Sequence, residues 1–385
     1  LWRATNSLKP VRPPVAIYPE RAWTELVPRS CLQCTDPMLQ RWEMFFRQTI
    51  FQHHHIPDDR PLHDQVPITW TLGESDSGIE FKTRHAAGDG PEAYAFDPPI
   101  RTIADMDAAR VPTFSVDREY TYRRRDRAEE LFGDILNVRI WGGQPIWSVG
   151  LSQLIMYRGL QQAMLDMYEQ PAILHRILEH VQAVQAARMD WLEAEGLLSL
   201  NNDITKIDYF QGSGHEAYCD ELPAPDYDGR ARWCDMWGLG EMQEFSGVGP
   251  EQFWEFSLQY QLPLLNRFGL VNYGCCEPLD GVYDMLIEHL PRLRRLSVTS
   301  PYASKQVAAD KLGDKYIFSW KPNPTPLATA RVNWEWIEAD MRETLEIARG
   351  GVVEIIMKST ETFAHDPHRV TQWVELAQRM AGEYA

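Results

Sequence analysis

The chain has 385 residues, enough for one large domain or two of medium size. Its net charge of −17 argues against a phosphate-binding surface and against attraction to anionic lipid, so neither nucleic acid nor membrane is expected among its partners. No apolar run approaches the ~20 residues of a spanning helix, and 14 Trp with 26 Pro point to a large core with long, shaped loops rather than a repeat or a disordered chain. The part to about Val111 reads as irregular, with proline-rich stretches at 9–14, 61–67 and 98–99. A helix is expected from Asp36 as N-cap, through Pro37 in the first turn, to about Phe51. A second covers Thr102 to Ala109. Between them, Ile68–Thr71 and Ile79–Lys82 alternate like the strands of a hairpin.

Beyond this point the pattern becomes rhythmic. Pro171 opens a helix to about residue 195 in which Ile173, Leu174, Ile177, Leu178, Val181, Val184 and Leu192 recur at helical spacing, and Gly196 supplies its C-terminal cap. Leu197–Leu200 reads as a buried strand. A helix over 250–267 follows. Strands at Gly269–Tyr273, Leu296–Thr299, Tyr316–Trp320 and Val352–Met357 then alternate with helices at Leu279–His289, Ser304–Leu312, Asn333–Ala348 and from Asp366 onward. Such β-then-α repetition predicts a parallel sheet with helical crossovers. An open sheet that binds a dinucleotide brings G-x-G-x-x-G after its first strand, and none occurs; Gly212-Ser213-Gly214 runs into His215 and Glu216. Polar residues instead follow strand after strand: Asn202 and Asp203, Cys275 to Glu277, Ser300, Lys321 and Asn323, Lys358 and Glu361. Contributions from many strand ends fit a barrel mouth. The expected fold is therefore α/β, a TIM (β/α)8 barrel over 112–385 with an N-terminal elaboration over 1–111 packed on it.

Six cysteines do not make a disulfide scaffold in a chain of this length, and the opening residues lack a charged-then-apolar signal pattern, so a reducing cytoplasm is the expected location. The most informative segment is Asn272-Tyr273-Gly274-Cys275-Cys276-Glu277-Pro278. Cys275 and Glu277, two apart at a strand end, share a face. Thiolate and carboxylate together with one or two further donors hold Zn²⁺, and Cys276, Glu277 and His365 are the candidates beside Cys275. The competing reading is that cysteine is a small buried hydrophobe. Glu241 and Gln243 sit among small residues that let a ligand approach closely. Lys358, Thr360, Glu361 and His365 follow the last strand. Cys31-x-x-Cys34 has no second half and reads as two unpaired thiols, His53-His54-His55 as a helix end, and Arg123-Arg124-Arg125 as a solvated face. No G-x-S-x-G, H-E-x-x-H or P-loop pattern occurs.

From Arg158 to the end the chain resembles the uroporphyrinogen decarboxylase superfamily, in the stretches RGLQQAMLDMYEQPAILHRILEHV, SGVGPEQFWEFSLQYQLPLLNRFG, NYGCCEP and DKYIFSWKPNPTPL. The earlier CTDPMLQRWEMFFRQTIFQHHHIPDD is similar to relatives grouped with corrinoid-dependent methyltransferases and O-demethylases. The resemblance implies a TIM barrel with its site at the C-terminal mouth. The decarboxylases' R-Q-A-G-R survives only as Arg47-Gln48, and Leu131-Phe132-Gly133-Asp134-Ile135-Leu136 loosely echoes their F-S-D-I-L. In the methyltransferase branch, zinc ligands occur as His-x-Cys at one strand end and a Cys after the last strand. Here Tyr273-Gly274-Cys275 falls at the first place, with Glu361 and His365 near the second. The implied activity is removal of a methyl group from a small methoxylated or methylated substrate and its transfer to a corrinoid carried by a partner protein, with possible zinc assistance. Glu241, Glu277 and Glu361 would be catalytic, while Trp237, Gln243, Tyr273, Trp320 and Lys321 would hold the substrate. The alternative is a cofactor-free carboxy-lyase using Arg47 and Arg60 for substrate carboxylates.

Overall fold

The computed structural model describes residues 1–85, 94–142, 149, 151–202 and 216–384; Asp203, Gly212-Ser213-Gly214 and His215 lie outside them. The strands, in chain order, are β1 (Val15–Ile17), β2 (Gln65–Thr69), β3 (Leu72–Glu74), β4 (Lys82–His85), β5 (Tyr94–Asp97), β6 (Phe114–Val116), β7 (Asn137–Trp141), β8 (Trp237–Gly240), β9 (Leu270–Tyr273), β10 (Leu293–Thr299), β11 (Ile317–Lys321) and β12 (Val352–Met357). Six form one sheet in the order β1-β12-β11-β10-β9-β8. Every pairing in it is parallel. Parallel neighbours need crossovers, which the helices Tyr283–His289, Lys305–Leu312 and Trp334–Ile347 provide between successive strands from β9 to β12. Both faces of the sheet are covered, which is why β8, β9, β11 and β12 are buried at every residue and read as short apolar runs.

Caps fix where the helices begin. Asp36 accepts the Met38 and Leu39 N–H groups at 2.8 and 3.0 Å, and the helix it starts runs from Pro37 to His55. Asn333 accepts from the Trp336 N–H at 3.0 Å. Three expectations change. The 68–71/79–82 hairpin does not form, because β2 instead pairs in parallel with β7, and β3 pairs antiparallel with β6. Leu197–Leu200 is irregular rather than a strand, with the Ser199 hydroxyl accepting the Gly142 N–H at 2.8 Å. The 250–267 helix is interrupted by a wider π turn over Trp254–Leu258, with Pro263 inside its last segment.

The edges of the sheet are not bare. The Asp58 and Asp59 carboxylates accept the Ile17 and Val15 N–H groups at 3.0 and 2.8 Å, covering the outer side of β1. At the other edge the Asn201 amide bonds both the N–H and the carbonyl of Trp237, at 3.0 and 3.1 Å. Both devices satisfy groups that would otherwise invite another strand. No helix among the described residues is long and apolar enough to cross a membrane.

Charged residues inside apolar strands must pair. Arg295 of β10 and Glu354 of β12 are both fully buried, with Arg295 Nε 2.9 Å from Glu354 Oε1. The guanidinium also lies 5.0 Å over the Trp237 ring, and the Ser319 hydroxyl donates to the same carboxylate. Replacing the guanidinium alone leaves the buried carboxylate without its ion-pair partner, with the Ser319 hydroxyl and the charge of Lys321 as its remaining described support. Arg295→Met is therefore expected to lower the unfolding free energy by about 3–5 kcal/mol, and Arg295→Met with Glu354→Leu to recover most of it, as read from urea unfolding. A single-variant loss below about 1 kcal/mol would show that the pair is not the buried one described.

Candidate active site

Because the six strands run the same way, their C-terminal ends share one edge of the sheet. Side chains alternate along a strand. Lys321 is two residues beyond Ser319, and Lys358 continues four beyond Glu354, so both follow the face that carries the Arg295–Glu354 pair. Lys321 Nζ donates to Ser319 Oγ at 2.5 Å. Above them the chain leaving β9 turns at Gly274, whose φ is +96°. A Cβ there would meet Leu279 Cδ1 at 2.9 Å and Ser297 Cβ at 3.1 Å, so the turn requires glycine on both counts.

That turn delivers Cys275 and Cys276. Their sulfurs are 3.7 Å apart, and Lys358 Nζ lies 2.8 Å from Cys275 Sγ. The turn is held from both sides. Both Glu277 oxygens accept backbone N–H groups, from Met242 and Cys275, each at 2.9 Å. The Thr299 hydroxyl donates to the Cys275 carbonyl at 2.8 Å. Glu277 is thus a clamp that ties the end of β8 to the end of β9. On the other flank Ser359, directly after Lys358, has φ +57°, and its N–H donates to Glu20 Oε1 at 2.5 Å; Glu20 itself has φ +46°. Two non-glycine residues in the left-handed region, bonded across the ends of β1 and β12, mark a place where surrounding structure overrides local preference.

The electrostatics follow from burial and neighbours. The two thiols share one negative charge. The first ionisation, at Cys276, is lowered to about 5 by the hydrogen bond from Cys275 and by the ammonium of Lys358. The thiol left on Cys275 is pushed far up by its bond to Cys276 and by burial. Lys358 is raised despite its burial, because both sulfurs favour its charge. Burial lowers Lys321 to about 7. It raises the Glu277, Glu20 and Glu244 carboxyls, and the charges of Glu277 and Cys276 push Glu244 further up. The site therefore holds a thiolate, two amines and carboxyls displaced toward their protonated forms, the mixture that acid–base chemistry uses.

The expected site residues divide. Cys275, Cys276, Glu277 and Lys321 come together. Glu241 is buried at the end of β8, with Gln261 Nε2 donating to its carbonyl at 3.1 Å, and Gln243 begins the short turn that carries Glu244. Tyr273 and Trp320 face the helices: Tyr273 packs edge-on to Phe253, and the Lys305 ammonium lies over the Trp320 ring. Trp237 is on the inner face beneath Arg295. Glu361 and His365 are exposed, Glu361 3.3 Å from Arg21 Nε and His365 Nδ1 3.4 Å from Glu25. Arg47 and Arg60 are paired with Glu43 and Asp58. Glu20 and Glu244 were missing from the expected set, and Lys358 was noted after the last strand without a role. Lys358 immediately follows β12, a strand apolar at every residue but Glu354, and that position was its only signal.

Zinc is implied by the resemblance, and the donor set decides how far that carries. A protein zinc site needs three or four S, N or O ligands. Among the described residues no group of three or more His, Cys, Asp and Glu side chains is placed to hold a metal. Two thiols converge, but both oxygens of Glu277 are committed to backbone and His365 is 86% exposed. A cation, Lys358, already sits against Cys275. The described residues do not fit zinc.

No protein-family model matches the sequence, and no curated protein matches it. A solved structure, a methyltransferase from Methanosarcina mazei, superposes over 98% of this chain and 97% of its own with a TM-score of 0.51 and 13% sequence identity. At that identity the likeness shows a shared fold.

The lowered thiol gives a pH dependence with a definite sign. A thiolate persists above its pKa, so alkylation of Cys276 by iodoacetamide is expected to hold near its plateau as pH falls to about 6 and to drop only near about 5. Lys358→Met removes the stabilising cation and should move that midpoint upward by about one unit or more. Peptide-resolved alkylation checks both. A wild-type midpoint in the ordinary thiol range of about 8.5 would contradict the pairing.

Proposed function

We propose that this chain is a methyltransferase that removes a methyl group from a small methoxylated or methylated substrate, working at the C-terminal edge of a closed (β/α)8 barrel of the uroporphyrinogen decarboxylase kind. The reading rests on one observation above all: an ammonium held 2.8 Å from a thiol at the end of a parallel sheet, in a chain that shares its fold along nearly its whole length with a methyltransferase. The covered edges of the sheet support the barrel, since Val149 bonds the Leu239 carbonyl at 2.9 Å beyond β8 and Asp58 and Asp59 line β1.

Breaking a carbon–oxygen or carbon–nitrogen bond to methyl leaves negative charge on oxygen, or a poor amine leaving group, and a positioned acid lowers that barrier. Lys358 is the acid in this reading. Its ammonium delivers a proton to the leaving atom, and the thiolate of the Cys275–Cys276 pair keeps the lysine charged until substrate arrives. Lys321 and the Glu354–Arg295 pair beneath it hold the field of the site fixed. When docked at this edge, a corrin carried by a partner protein would supply the nucleophile that accepts the methyl group. The carboxy-lyase alternative needs free arginines for substrate carboxylates, and Arg47 and Arg60 are each paired with an acid.

Incubation with a panel of methoxylated aromatic acids and methylamines, using free cobalamin reduced to Co(I) as acceptor, tests the reading by mass spectrometry of the demethylated product. Product that requires the chain is expected, with Lys358→Met lowering kcat by about 100-fold at little change in KM. Carbon dioxide release from carboxylated compounds with no demethylation would overturn methyl transfer in favour of the lyase.

A further inference from the structure

The Cys275–Cys276 pair does more than balance Lys358. We propose that it is an oxidant-sensitive switch: peroxide oxidises Cys276, and Cys275 closes on it to form a reversible vicinal disulfide that disables the site. The inference deepens the function proposed above, but its primary readout is thiol chemistry and does not depend on that function.

Three observations carry it. The sulfurs are already 3.7 Å apart, so a resolving thiol stands beside the attacked one. The ammonium of Lys358 lies against the pair and stabilises the thiolate, the form that reacts with peroxide. The two cysteines differ in access: Cys275 is buried, whereas Cys276 is partly exposed and meets the oxidant first. The other described thiols lack this arrangement. Cys219 is buried, Cys234 lies more than ten residues from any other cysteine in sequence, and the Cys34 thiol is pushed up by its hydrogen bond to the Glu43 carboxylate.

The chemistry balances without a further reactant. The Cys276 thiolate attacks one peroxide oxygen, the O–O bond breaks, and, with one proton, a sulfenic acid and water result. The Cys275 sulfur then attacks the Cys276 sulfur. The S–S bond forms, the S–O bond breaks, and the hydroxide that leaves takes the Cys275 proton as a second water. Two electrons pass from the thiols to peroxide, and a dithiol reductant returns them. The closed ring spans a single peptide, in a turn tied down by Glu277 and Thr299. A bond formed against that restraint is strained, and strained disulfides are the readily reduced, regulatory kind. Oxidation removes the thiolate, so Lys358 loses the charge that holds it.

The full-length chain, treated with graded hydrogen peroxide, blocked with iodoacetamide and digested, supplies the test. The expected result is a peptide containing Cys275 and Cys276 that is lighter by two hydrogens and unalkylated, restored by dithiothreitol. Cys275→Ser should instead leave a dimedone-reactive sulfenic acid on Cys276, and Lys358→Met should slow its oxidation about tenfold. A peptide alkylated at both cysteines after peroxide, or a bond from either to another cysteine, would overturn the proposal. So would direct passage of Cys276 to sulfinic acid in the wild-type chain. Disulfide formation in a chain that demethylates nothing would leave the switch standing and remove the methyltransferase reading.

Discussion

An ammonium buried at the end of a parallel strand stays charged only if something nearby repays the loss of water. For Lys358 a described source of that stabilisation is sulfur, 2.8 Å away at Cys275. The dependence is mutual. Without the lysine, the Cys276 thiolate would keep the hydrogen bond from Cys275 but lose the cation that offsets its burial, which by itself raises a thiol. Together they hold one positive and one negative charge where neither is stable by itself. Gly274 and Glu277 shape the turn that carries the thiols, and Ser359 bonded to Glu20 holds the turn after Lys358.

The sheet makes the meeting possible. β9 and β12 are not neighbours; β10 and β11 lie between them. Side chains from strands so separated meet when the sheet curves and their residues rise on the same inner face. Beneath them the same face carries Trp237, Arg295, Glu354, Ser319 and Lys321, in a sequence of alternating charge that ends at the thiol pair. Hydrogen bonds link Arg295 Nη2 to Glu354, Glu354 to Ser319 and Ser319 to Lys321, so the charges of this face are tied to one another.

Much of the scaffold was legible in the sequence because its signals are local. The β9 to β12 strands and the helices between them follow from apolar runs, Asn333 and Ser304 caps and glycine stops, each acting within a few residues. Position 275 was legible too, since two thiols and a carboxylate at a strand end are an unusual concentration of chemistry. What escaped was long-range. The role of Glu277 depends on the Met242 N–H, 35 residues away in sequence, and no spacing rule reveals that both its oxygens point at backbone. Trp320 and Tyr273 were expected toward the substrate, yet strand parity turns them to the helices, while Lys321 beside Trp320 turns inward. The hairpin over 68–82 failed because alternation identifies strands but not partners. Glu354 was a readable signal: a lone charge inside an otherwise apolar strand demands an opposite charge from another strand, and Arg295 supplies it.

The reading of this chain as a methyl-transfer enzyme needs a site in which charge is prepared before substrate binds, and that preparation resides in one ion pair. The direct measurement is the pH titration of the Lys358 side-chain nitrogen by NMR, in the wild-type chain and in Cys275→Ala/Cys276→Ala. The account predicts a wild-type midpoint above the ordinary lysine value of about 10.4, and one below it once the sulfurs are removed. The same midpoint in both proteins, or a depressed one in the wild type, would contradict it.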